Sequence, residues 1–153
     1  MEIDWYGGPR ADLRTMFELA EDSDQQLDGY LDLGQVLVAQ RDGEVIGHLQ
    51  VVPTDQPGTV ELKSMAVVEG QRANGIGRAL IDEAVRRCVA EGNTRMTVST
   101  AAADVGALRF YQRCGFRMLA VERDAFVPAT GYPDRIDVDG IELRDRVWFD
   151  RDL

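Results

Sequence analysis

The sequence predicts a mixed α/β domain, with a mostly antiparallel central sheet and helices on both faces. Three observations carry this. The first 67 residues hold β-rich runs separated by tight-turn signals, with short helical stretches between the first and second runs. At Gly75 the apolar period lengthens from strand-like to helix-like spacing. From there strands and helices alternate to the end of the chain, which calls for helices packed on a sheet.

Residues 2–6 suit a short first strand closed by Gly7-Gly8-Pro9. Over residues 10–20, Leu13, Met16, Phe17 and Ala20 recur at helical spacing. A second short helix is predicted over residues 23–31, with Ser23 or Asp24 as its N-cap. Residues 36–40 and 44–52 are β-rich and joined by Asp42-Gly43, a strong hairpin signal. After the turn cluster of residues 53–58, residues 59–67 form a third long strand. Ile76, Leu80, Ile81, Ala84, Val85, Cys88 and Val89 then mark one face of a helix over residues 76–91. Asp82 with Arg86 and Glu83 with Arg87 are i,i+4 pairs in the favourable order, and Gly92 is a natural stop. A strand over 95–99, a helix over 105–113 ending at Gly115 and a strand over 116–126 follow. Residues 128–133 read as a loop, and Asp139-Gly140 turns the chain into a last strand over 143–150.

The 153 residues suit one domain with a real core, 44% apolar and 29% charged. No apolar run approaches the ~20 residues of a membrane span. The opening residues lack the basic and apolar regions of a secretory signal, so the expected setting is cytoplasmic, without a membrane partner. Cys88 and Cys114 lack metal-ligand spacing and read as buried free thiols, so no metal is expected. A net charge of −10 argues against nucleic acid, whose phosphates need a basic surface. Met16, Met65, Met96 and Met118 read as core filling, and Trp148 and Phe149 as packing residues.

The chemistry concentrates between residues 61 and 116. A strand ends at Val67, and Arg72-Ala73-Asn74-Gly75-Ile76-Gly77 opens directly into the long helix. Glycines at 75 and 77 allow a sharp turn and close ligand approach. The unpaired N–H groups of the first helical turn, the helix dipole, Arg72 and Arg78 together suit a pyrophosphate. Neither the Walker loop nor the Rossmann spacing is met, because no Gly-Lys-Ser/Thr follows and the third glycine is missing. A tight structural turn is the plainer explanation of this loop taken alone.

Two motifs together resemble the GNAT N-acetyltransferase superfamily. Arg72-x-x-Gly75-x-Gly77 is similar to its Gln/Arg-x-x-Gly-x-Gly/Ala loop. Asp104-x-x-Ala107-x-x-Phe110-Tyr111-x-x-Cys114-Gly115-Phe116 is similar to its Asn-x-x-Ala-x-x-Leu/Phe-Tyr-x-x-x-Gly-Phe signature. The resemblance covers residues 62–116 and implies acetyl-CoA as co-substrate, its pantetheine arm pairing with Met65, Ala66 and Val67. It implies that Arg72, Ala73, Asn74, Gly75, Ile76, Gly77 and Arg78 seat the pyrophosphate. It also implies that the Tyr111 hydroxyl serves the departing sulfur, with packing against the sheet as the bland role. Asp104 stands where the family often has Asn, and a helix N-cap is the reading favoured here.

An amine of pKa ~10.4 must lose a proton before attack, at a cost of roughly 4–5 kcal/mol at neutral pH. Glu61 matches the position of a catalytic glutamate in several family members; the alternative is an exposed strand residue paired with Lys63. Strict alternation puts Glu61, Lys63, Met65 and Val67 on one face, though the strand bulge usual in the family would disturb that count. His48, the single histidine, is a second candidate base, with an inert sheet residue as its plainer role. A backbone N–H near Ala66 or Val67 would hold the oxyanion.

The implied reaction is direct transfer of acetyl from acetyl-CoA to a primary amine. An acyl-CoA-binding module without catalysis is the rival reading. With Arg72, Arg78, Arg109 and Arg113 near the cofactor, the excess acid must lie elsewhere. Glu21, Asp22, Asp24, Asp124 and Asp137 are candidates to flank the acceptor groove, favouring a cationic small molecule or a peptidyl lysine. A homodimer is left open.

Overall fold

A computed structural model describes the backbone of all 153 residues and every side chain except that of Ala73. The sheet has seven strands: β1 (Glu2–Trp5), β2 (Gln35–Arg41), β3 (Glu44–Pro53), β4 (Thr59–Val67), β5 (Arg95–Ala101), β6 (Arg117–Glu122) and, last in the chain, β9 (Arg146–Asp152). Their order across the sheet is β1-β2-β3-β4-β5-β9-β6, and every pairing except the parallel β4–β5 is antiparallel. Two further strands, β7 (Asp137–Val138) and β8 (Ile141–Glu142), form a separate ribbon.

The Asp42-Gly43 hairpin forms as its residues dictate. Both take positive φ (52° and 80°), which the two-residue turn between β2 and β3 requires. Ser23 caps helix α2 (Asp24–Tyr30) by accepting from the Gln26 N–H at 3.2 Å.

Helices cover both faces, and β2 shows how. Val36 and Val38 pack with Leu13, Phe17, Leu27 and Tyr30 from the N-terminal helices. Leu37 and Ala39 point the other way, to Ile76, Leu80, Ile81, Ala84 and Cys88 of α3 (Ile76–Ala90). Tyr111 and Cys114, in and just after α4 (Val105–Arg113), join that second core. Cys88 and Cys114 are free and buried, and burial pushes the Cys88 thiol up to about 11.

Several expectations need correction. The 10–20 segment is broken into a 3₁₀ turn (Arg10–Leu13) and a short α1 (Arg14–Glu18). The strand expected over 116–126 stops at Glu122, and the 128–133 loop contains the 3₁₀ turn Pro128–Thr130. Asp139-Gly140 closes its own β7–β8 ribbon, so the last strand begins at Arg146. Arg86 pairs with Glu83 rather than Asp82, because Glu83 binds Arg86 and Arg87 together. Met118 lies on the exposed β6 and is 57% accessible, so it fills no core.

The bulge in β4 matters most for the site. Gln50 of β3 faces Ser64, but Val51 faces Leu62, leaving Lys63 as the extra residue. Alternation therefore breaks at Lys63. Leu62, Met65 and Val67 pack on the α3 side, while Lys63 lies over the Tyr30 ring on the opposite face. Strict alternation had put Glu61, Lys63, Met65 and Val67 together, and the bulge that the family resemblance implied separates Met65 and Val67 from Lys63.

Candidate active site

β4 and β5 pair only from Thr59 to Leu62 and from Arg95 to Val98. Beyond that they part, while β3 still holds the other edge of β4 as far as Val67. The β4 edge facing β5 is thus left without a strand partner at Met65, Ala66 and Val67. The wedge between the strands opens a cleft of about 800 Å³. Its lining includes the start of α3 on one face of the sheet and Tyr30 on the other, so it passes through the sheet.

At the α3 end, Gly75 takes a left-handed conformation (φ 73°, ψ 12°) between a 3₁₀ turn (Arg72–Asn74) and the helix. Ala79 N donates to Gly75 O at 3.0 Å. The N–H groups of Ile76, Gly77 and Arg78 precede that bond and have no intrahelical acceptor. A Cβ at Gly77 would stand 3.1 Å from Phe110 Cζ, so a side chain there would push that ring back by a few tenths of an ångström. Arg72 Nε donates to Val67 O at 2.9 Å, and an Arg78 Nη donates to Arg113 O at 3.0 Å. Each guanidinium keeps further donors free for a ligand. This end fits a diphosphate: open N–H groups, a missing Cβ and two anchored arginines.

The cleft lining contains Met65, Ala66, Val67, Arg72, Gly75, Gly77 and Arg78 from the expected cofactor set. Ile76 does not contribute its side chain, which is fully buried in the core. Asn74 is exposed and donates to Gln71. The Ala73 side chain lies outside the described residues.

Asp104 caps α4, accepting from Ala107 N at 3.0 Å, as the N-cap reading expected. The cap fixes the helix that carries Tyr111 into the cleft. The Tyr111 ring meets Phe110 and Phe116 edge-on, with centroids 5.4 and 5.9 Å away, and Phe149 at 6.0 Å. Burial first, then the Asp104 charge, raises its hydroxyl pKa well above the ordinary value. The phenol therefore stays protonated near neutral pH and is ready to donate.

Glu61 is half-buried beside Lys63, with a 4.0 Å separation, and does not reach the cleft lining. Burial raises its pKa against the opposing pull of Lys63 and Arg146. His48 is fully buried, stacked on Phe17 at 4.2 Å, with Nε2 2.9 Å from Ser64 Oγ. Burial lowers its pKa to about 3. It does not line the cleft and keeps the plain structural role.

At the far end, Glu21 is fixed by two phenols: Tyr30 donates to one oxygen at 3.0 Å, Tyr132 to the other at 2.8 Å. Asp22, Lys63, Phe126 and Arg146 complete this end. Of the acids expected there, Glu21 and Asp22 line the cleft. Asp24, Asp124 and Asp137 do not; they pair with Arg14, Arg144 and Arg135. Tyr30, Phe126, Tyr132 and Arg146 went unread in the sequence, because they come from three separated segments without shared spacing, and Lys63 was read only as a partner for Glu61.

A through-sheet cleft with open helix N–H groups at one end and a buried phenol at its wall fits a long, phosphorylated ligand. Residues 5–116 match the model of the Acetyltransferase (GNAT) family. The chain is 31% identical to the uncharacterized N-acetyltransferase YvbK of Bacillus subtilis (strain 168), over 93% of this chain and 90% of the relative. A Bacillus subtilis acetyltransferase in complex with CoA matches 99% of this chain and 97% of its own, at 30% identity and TM-score 0.88. A GNAT family acetyltransferase from Elizabethkingia anophelis with acetyl-CoA bound gives 28% identity and TM-score 0.89, over 99% and 97%. The chain belongs to the GNAT family of acetyl-CoA-dependent N-acetyltransferases. No helix among the described residues is long and apolar enough to cross a membrane.

Proposed function

We propose that the protein moves the acetyl group of acetyl-CoA directly to a primary amine that arrives as a cation, on a small molecule or a peptidyl lysine. The observation that carries this is the through-sheet cleft, with its diphosphate seat on one face and Glu21 and Asp22 on the other. The two substrates then meet midway, at the unpaired edge of β4. No cysteine lines the cleft among the described residues, which favours direct attack over a thioester on the enzyme.

In this reading the helix N–H groups of Gly77 and Arg78 and the Arg72 side chain hold the pyrophosphate. The free edge of Met65, Ala66 and Val67 binds the pantetheine amides, and a backbone N–H near Ala66 or Val67 stabilises the oxyanion. Tyr111 donates its proton to the leaving thiolate. Glu61 takes the amine's proton through water, and its raised pKa makes it a stronger base than an ordinary carboxylate. Acetyl-CoA should raise the Tm of the protein, and Gly77→Glu should abolish that shift by filling and charging the seat. An undiminished shift in the variant would place the donor elsewhere.

A further inference from the structure

We infer that the acceptor amine also carries a carboxylate, bound by Arg146 and Lys63 at the Glu21 end of the cleft. The inference rests on the acetyl-transfer reading and narrows its acceptor to aminocarboxylates, among which free amino acids are the simplest.

Both cations line the cleft, and neither makes a hydrogen bond among the described residues. Arg146 is held flat, its guanidinium 4.9 Å over the Phe126 ring and 5.8 Å from that of Trp148. Its nearest carboxylate is Glu122, at 3.7 Å from one Nη. Its Nε is buried and has no hydrogen-bond partner. A buried N–H without an acceptor is unfavourable, so a ligand oxygen that reached this donor would relieve that cost. Glu21 could have served, but both its oxygens already accept from Tyr30 and Tyr132.

Lys63 supplies the second charge. It is the residue that the β4 bulge adds, and its Nζ stands 4.9 Å above the Tyr30 ring. Glu61 is 4.0 Å away, too far for a hydrogen bond. Lys63 lies over Tyr30 and Arg146 over Phe126, whose ring meets that of Tyr132 at 5.1 Å; both tyrosines hold Glu21, so the two cations stand around one end of the cleft. A planar carboxylate matches the guanidinium fork, with the ammonium as a second point charge. Glu21 and Asp22 at the same end favour a monoanion beside an amine over a dianion. A lysine inside a peptide offers no such carboxylate next to its amine.

The test compares amino acids with their own carboxamides, following CoA thiol release in the wild type, Arg146→Gln and Lys63→Met. The wild type should favour the acids by roughly 10–100-fold in kcat/KM, the scale of a charge-assisted pair. In either variant that ratio should collapse toward one. Carboxamides used as well as acids, or a preference that survives both substitutions, would overturn the inference. Binding is read separately from the Tm shift given by N-acetyl amino acids in the presence of CoA. If no amine releases thiol, yet these products bind and lose affinity in Arg146→Gln, the transfer reading alone falls. If they do not bind, the carboxylate subsite falls too.

Discussion

Tyr111 lies at the cleft wall with only 8% of its surface accessible, wedged among three phenylalanines. Tyr111→Phe keeps that packing and removes the hydroxyl. We expect kcat to fall about 10–1000-fold with acetyl-CoA binding retained; an unchanged kcat would reduce Tyr111 to a packing residue. Glu61 carries a sign that can be checked twice. Its folded pKa is raised, so the native state holds the proton to higher pH than the unfolded chain does. Stability from this group is present at low pH and declines as pH rises through the raised value. Glu61→Gln should therefore raise the Tm at pH 8 and not at pH 4, while lowering kcat/KM most near neutral pH. Partial recovery of kcat/KM at high pH follows, where free amine is abundant. His48 runs the other way: its pKa of about 3 means the unfolded chain protonates first as pH falls. It lowers stability from about pH 6.5 downward, the ordinary histidine value. His48→Ala should cost about 2–4 kcal/mol by emptying its place against Phe17. The pH profile of remaining activity should not move. A shifted or lost acidic limb in that variant, where a base would be protonated, would return His48 to the list of bases. Sequence reading reached Tyr111 through its motif, but burial, which decides His48, has no signature in one histidine on an alternating strand.

At the level of elements, legibility depended on how local the cause was. The Asp42-Gly43 turn, the α2 cap and the Asp104 cap each rest on one or two residues with set backbone preferences; all three were read from sequence, the α2 cap as Ser23 or Asp24, of which Ser23 serves. The bulge at Lys63 depends on how β4 meets β3, which no local pattern in β4 announces. Its consequence falls on the cleft, since it returns Met65 to the face of Leu62 while Lys63 stays on the Tyr30 side. The cap invites a measurement. Asp104→Ala should lower stability by about 0.5–2 kcal/mol, whereas Asp104→Asn should hold it, because Asn caps as well as Asp. If Asp104→Asn changed the KM for acetyl-CoA while leaving the Tm alone, the side chain would be a donor contact as well as a cap. The helix start at Gly75 was legible for the same local reason as the turns. The contact of Gly77 with Phe110 was not, since the two residues are joined only by the packing of α4 on α3.

Across the whole molecule, the net charge of −10 says less than its placement. Arginines neutralise Asp24, Asp124 and Asp137 away from the cleft, so the end proposed for the acceptor is left with Glu21 and Asp22 beside Lys63 and Arg146. A site so nearly balanced should attract a cationic amine only modestly. We expect the acceptor KM to rise less than about tenfold between low salt and 0.5 M, since screening acts chiefly on exposed charge. A much steeper dependence would mean that the wider acidic surface steers the acceptor. The central claim is that a donor seated at Gly75 and Gly77 meets an amine at the free edge of β4. The direct measurement is CoA thiol release from acetyl-CoA, with and without a panel of amines, beside mass detection of the acetylated product. We expect release that depends on the amine, with one acetyl amide formed per thiol. Release equally fast without any amine, or none with every amine despite tight acetyl-CoA binding, would contradict that claim.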